Sequence, residues 1–137
     1  MVRRILLPAV TAGLVLLGLS YLILYATIYW APGLVEEYYN PVFWPGSDRA
    51  TLFFAHPFIL SGALAWFWTQ FKSEVGGSNW PLRGLRFGLT YALIATLPSM
   101  WITFSAISVS LTMVLTWFAY GTMQATVCGL VFARMNP

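Results

Sequence analysis

Four long apolar stretches, residues 5–30, 51–71, 85–104 and 107–133, alternate with short polar ones and set the plan of this chain. Each is close to the roughly 20 residues that a helix needs to cross the hydrocarbon of a bilayer. Lipid offers the backbone no hydrogen bonds, so runs of this length predict helices, which bond to themselves. The in–out alternation of a membrane barrel is absent. No Asp, Glu, Lys, Arg or His falls between Arg86 and Arg134, so the last two runs form one uncharged hairpin, with its turn near residues 105–110. The expected fold is all-α, a polytopic membrane protein built as a four-transmembrane-helix bundle, with residues 1–137 forming a single membrane domain. Arg3 and Arg4 precede the first run as they would in a secretory leader. That run far exceeds the roughly 7–15 apolar residues of a leader. It ends in Tyr29-Trp30-Ala31-Pro32 rather than a small-residue cleavage site, so it is expected to be retained.

The polar stretches then orient the bundle. Arg3, Arg4, Lys72, Arg83, Arg86 and Arg134 fall at the N-terminus, in or just beyond the second connection (72–84) and at the C-terminus, which four crossings place on one side. Arg49 alone falls on the other, so the positive-inside rule predicts cytoplasmic N- and C-termini. With 59% hydrophobic and 8% charged residues, against about 25% charged in a soluble domain, the surface is suited to lipid. The formal net charge of +3 follows from this orienting role, so no nucleic-acid partner is expected. The one cysteine, Cys128, has no second cysteine in the chain to pair with.

Small residues predict how the helices meet. Gly84, Gly88 and Ala92 recur every four positions in the third run, with Thr96 next in the series. Gly121, Ala125, Gly129 and Ala133 do so in the fourth. Residues four apart share a helix face, and small side chains let backbones approach closely in lipid. The third helix against the fourth is the simplest pairing, and a homodimer through one ridge is the rival. Ala9 with Gly13, and Ser61 with Ala65, make weaker ridges. Pro98 lies well inside the third run and predicts a kink.

Candidate chemistry is sparse. The outer connection, 31–50, holds Glu36, Glu37, Tyr38, Tyr39, Trp44, Asp48 and Arg49, and a short interfacial helix over 33–39 is one reading of it. His56, the only histidine, follows in the second helix. Folded back, this connection would form an outer vestibule in which His56 with Glu37 and Asp48 handles a ligand or a proton. The plainer reading is an aromatic belt with solvated acids and a histidine bonded to a loop group. Thr112, Thr116, Tyr120 and Gln124 form a polar stripe on the fourth helix, read either as interhelical bonding or as part of a polar path. No catalytic set and no metal site are expected, since metal sites ordinarily take three or four ligands. No cofactor is called for, although a haem with one axial histidine stays open.

Glu37-Tyr38-Tyr39-Asn40-Pro41, Phe43-Trp44, Asp48, His56-Pro57-Phe58 with Gly62 and Ala65-Trp66, and Gly84-Leu85-Arg86-Phe87-Gly88-Leu89 with Ala95-Thr96 carry a resemblance. They are similar to stretches of small, uncharacterised prokaryotic four-helix integral membrane proteins without an established activity. The resemblance spans most of the chain and implies four helices in a prokaryotic inner membrane. The chain does not resemble the small multidrug transporters, whose first helix carries an acid, or the small fluoride channels. The leading expectation is a non-enzymatic membrane protein, either an accessory subunit of a larger complex or a self-associating scaffold. Its partners would be the bilayer with other membrane subunits or itself. A small oligomeric transporter or channel, and a His-ligated cofactor protein or membrane enzyme, are the alternatives.

Overall fold

The computed structural model describes residues 2–41 and 49–137. Those residues fold into helices and turns without a strand. α1 spans Val2–Trp30, α2 Pro32–Tyr38, α3 Ala50–Phe71, α4 Trp80–Tyr91, α5 Leu97–Ala106 and α6 Leu111–Met135. A wide π-helical turn, Ala92–Thr96, joins α4 to α5, so Trp80–Ala106 acts as one rod. Among the described residues, this rod and α1, α3 and α6 are the four elements long and apolar enough to cross a membrane.

Local chemistry sets the boundaries. The third rod starts at Trp80, five residues before the apolar run predicts. Asn79 is extended and its side chain accepts the Leu82 N–H at 3.0 Å, which caps the helix, and Pro81 follows in the first turn. The turn ahead of it uses Gly77 at φ +153°, where an added Cβ would meet Arg83 Cγ at 2.7 Å. α6 starts at Leu111 because Ser110 caps it, accepting the Met113 N–H at 3.1 Å. Pro98 has no N–H to donate and its ring crowds the preceding turn. The helix widens just ahead of it, and Leu97 N–H reaches back five residues to the Ala92 carbonyl. The expected kink therefore takes the form of a π bulge.

α6 is the hub, touching α1, α2, α3 and the whole third rod, while α1 also packs along α3. Glycine brings the backbones together. A Cβ on Gly129 would stand 2.6 Å from the Gly84 carbonyl oxygen, and one on Gly84 would stand 2.6 Å from the Leu130 nitrogen. A Cβ on Gly88 would come within 2.7 Å of Thr126 backbone atoms. Ala92 and Ala125 are buried in the same seam. Across α1 and α3, Gly13 leaves room for Phe58 and Ser61. The core lies toward the end that carries both termini. There Trp68, Phe87 and Phe132 meet edge-on or tilted, with ring centroids 5.3 to 6.3 Å apart.

Side chains bind that end together. Trp68 Nε1 donates to the Asn136 carbonyl at 2.9 Å, and Lys72 Nζ donates to Asn136 Oδ1 at 2.9 Å. Arg83 donates to the Lys72 carbonyl at 2.7 Å and lies over the Trp68 ring at 5.3 Å. Asn136 Nδ2 reaches the Arg4 carbonyl at 3.5 Å. Both termini and the α3–α4 connection thus share one end, opposite α2 and the α5–α6 turn. Leu14, Leu22, Ile59, Leu93 and Trp101 project outward as a lipid-facing surface would require.

Candidate functional site

α3 touches neither α4 nor α5 through its backbone. Near the termini, aromatic rings bridge the gap, with Phe67 and Trp68 against Phe87. Toward the α2 end no ring pair among the described residues does so, and a chamber of about 470 Å³ opens between the spans. α1 contributes Ser20 and Tyr21, α3 contributes Phe53, His56 and Pro57, and the third rod contributes Tyr91, Thr96 and Ser99. α6 turns one face to it, formed by Trp117, Tyr120, Gly121 and Gln124, whose spacing of three and four residues is that of a helix stripe. Tyr38 of α2 stands at the rim, edge-on to Trp117 at 5.9 Å.

The wall is unusual in its hydrogen bonding. Thr11, Thr27, Thr69, Thr103, Thr122 and Thr126 each donate to a carbonyl four residues back, at 2.7 to 2.9 Å. Thr96 makes no such bond; it ends the wide turn, where the Ala92 carbonyl four residues back receives Leu97 N–H. Thr96 Oγ1 has no partner, and neither do Trp117 Nε1 and Gln124 Nε2. Thr96 is 8% exposed and Gln124 3%. The buried polar atoms without a partner among the described residues are these three, and all three belong to residues of this chamber. Such a group costs about 1–3 kcal/mol while it stays unpaired. Across the chamber, Ser20 and Tyr120 satisfy each other at 2.6 Å.

The outer acidic cluster takes another form than the sequence suggests. Glu37 accepts the Ser110 N–H at 2.9 Å and the Ser110 hydroxyl at 2.7 Å, clasping α2 to the start of α6. The carboxylate serves the positive N-terminal end of that helix through its cap residue rather than His56. The Ser110 N–H, and then its hydroxyl, hold the Glu37 carboxyl below its ordinary value of 4.5. His56 lines the chamber with no hydrogen-bond partner among the described residues. Glu36, Tyr39 and Arg49 are exposed. Asp48 and Trp44 lie outside the described residues.

The polar stripe divides. Thr112 and Thr116 are exposed, with Thr116 donating to its own helix at the Met113 carbonyl, whereas Tyr120 and Gln124 enter the chamber. Of the ridge residues, Gly84, Gly88, Ala92, Ala125 and Gly129 lie in the contact between the third rod and α6. Gly121 faces Thr96 at the chamber floor, with 3.1 Å from its ideal Cβ to Thr96 Cγ2. Sequence reasoning missed Ser20 and Trp117 and took Thr96 only as part of a ridge. Trp117 stands seven residues before Gln124 on the same helix face, and Thr96 stands two before Pro98. Those spacings are the signals that carry them. Among the described residues, no three of His, Cys, Asp and Glu come together. No protein-family model matches the chain, and no curated protein or solved structure matches it either.

Proposed function

We propose that this chain is a multi-pass protein of a prokaryotic cytoplasmic membrane, with both termini in the cytoplasm, and that it works without catalysis by receiving a small molecule in its chamber. The convergence of three unpaired polar groups on one chamber carries this reading. Its volume falls within the roughly 300–1,000 Å³ of ordinary small-molecule sites. The other lining polar groups are hydroxyls and one histidine, which suit holding more than bond cleavage. The six basic residues at the termini end support the orientation, and the chamber then faces the outer half of the bilayer. Binding there serves either transfer across that half or an accessory role beside a larger complex. Self-association through a glycine ridge loses support, because those ridges are occupied within the chain.

Mass spectrometry of the protein released intact from native membranes tests the reading. The wild type should carry a bound small molecule, and Ala95→Trp, which fills the chamber, should carry none. Equal occupancy, or none in either, would overturn it. A cysteine at Ser108 should react with an impermeant reagent from the outside, and a reporter after Pro137 should read cytoplasmic. The reverse pattern would invert the orientation.

A further inference from the structure

We infer that the chamber takes the head of an uncharged, carbonyl-bearing membrane lipid, which enters sideways between α3 and α5. This rests on the chamber being a ligand site and adds the chemistry of the ligand. Trp117 Nε1 can only donate a hydrogen bond, Thr96 Oγ1 can donate one, and the Gln124 Nε2 amide group can donate two. Their complement is an oxygen acceptor. The three atoms themselves are shut from solvent although their residues line the chamber, so side-chain rotation has to bring them to a ligand there.

Charge narrows the class. No Asp, Glu, Lys or Arg is among the lining residues. A phosphate or ammonium group buried there would lack the partner that a charge in low dielectric needs. A carbonyl needs only donors. Tyr91, Trp117 and Tyr120 add flat apolar surface against which a planar head can rest.

Access points to the bilayer as the source. At the α2 end, Tyr38 at the rim packs on Trp117 and the Glu37–Ser110 clasp holds α2 to α6. Between α3 and α5 there is no backbone contact at any level. His56 on one side of that gap and Ser99 on the other are both exposed as well as chamber-lining. A molecule dissolved in the hydrocarbon can place its head through this gap and leave its tail outside. Quinones and diacylglycerols both present such heads.

The full chain in phosphatidylcholine nanodiscs is titrated with four probes: a decyl benzoquinone, dioctanoylglycerol, decanoate and decyltrimethylammonium. At least one neutral carbonyl probe should bind about tenfold or more tighter than both charged ones. Trp117→Phe and Gln124→Leu should each weaken that binding about five- to tenfold, the loss of one hydrogen bond. Binding of the quinone alone identifies a conjugated head and of the diacylglycerol alone an ester, and binding of both identifies the carbonyl itself. Without added probe, Gln124→Leu should also melt higher than wild type, since it removes a buried amide that has no partner. An interhelical bond at Gln124 would give the opposite shift. A charged probe binding as tightly, unchanged affinity in both variants, or a lower melting temperature for Gln124→Leu would each overturn the inference. So would no binding of any probe. In that case a co-purified molecule present in wild type and absent from Ala95→Trp would leave the ligand reading standing with a different chemistry.

Discussion

The two ends of this bundle are built from the same helices and solve opposite problems. Trp68 and Trp117 make the contrast concrete. At the termini end, the Trp68 indole donates to the Asn136 carbonyl and sits under Arg83, at 1% exposure. At the other end, the Trp117 indole is closed from solvent with nothing to donate to. Along α6, Gly129 is pressed onto the Gly84 backbone, while Gly121 looks across the chamber floor at a threonine methyl. The backbones close where glycines pair on facing helices. They open beyond the wide turn ahead of Pro98, where α3 makes no backbone contact with α5. One half holds the helices together, and the other is left with room and with unmet hydrogen bonds.

The sharpest way to break that comparison is to place the same bulk in both halves. Gly129→Leu drives a side chain into the Gly84 carbonyl, a backbone atom that cannot turn aside. It should destabilise the protein by about 3 kcal/mol or more, at the upper end of overpacking effects. Gly121→Leu meets the Thr96 side chain, whose methyl stands 3.1 Å and hydroxyl 3.6 Å from the added Cβ, and no backbone atom among its three nearest. It should cost about 1 kcal/mol or less while impairing ligand retention. Thermal unfolding of the two variants in one detergent checks this. Equal losses would mean that the two halves are equally tight.

Next in size is the pair of indoles. Trp68→Phe removes a hydrogen bond and leaves the Asn136 carbonyl to find water. It also weakens the Arg83 contact, so a loss of about 1–2 kcal/mol is expected. Trp117→Phe removes a donor that had no acceptor. In the unliganded protein it should be neutral or slightly stabilising. Denaturant titration of both gives the comparison directly, and a loss at Trp117 as large as at Trp68 would remove the distinction.

The halves also differ in how far the sequence reveals them. The four spans are legible because the length of an apolar run is a strong signal. The seam of α4 with α6 is legible because glycine at every fourth position has one physical use in lipid. Gln124 and Tyr120 stand out as polar residues in apolar runs. The chamber itself is not legible. It depends on which helices fail to touch, and a pattern within one helix does not report that. Thr96 reads as another small ridge residue, and its spacing does not report that its hydroxyl is left unpaired in the wide turn. Glu37 and His56 look like partners because they are polar and on one side. The capping need of α6, set by Ser110 some seventy residues from Glu37, decides the matter instead.

The smallest effect is expected at that clasp. Glu37 joins α2 to α6 through two hydrogen bonds at the solvent boundary. Its carboxyl is held below 4.5 by the Ser110 N–H and hydroxyl, so the native state favours the ionised form. A group lowered in this way contributes its stabilisation above its ordinary value and loses it as pH falls through the lowered one. The clasp should therefore be intact throughout the neutral range and release only in acid, below 4.5. Glu37→Gln keeps an acceptor for one Ser110 donor but removes the charge. It should behave at neutral pH as the wild type does in acid, with little change in overall melting. The readout is local. A cysteine at Leu34 should label slowly in the wild type at neutral pH. Expressed relative to a fully exposed cysteine at the same pH, which removes the fall of thiolate in acid, the rate should rise below 4.5, and it should be high at every pH in the Glu37→Gln background. If labelling rises in acid equally with and without Glu37, some other group holds α2, and the end of the bundle above the chamber is not closed by this clasp.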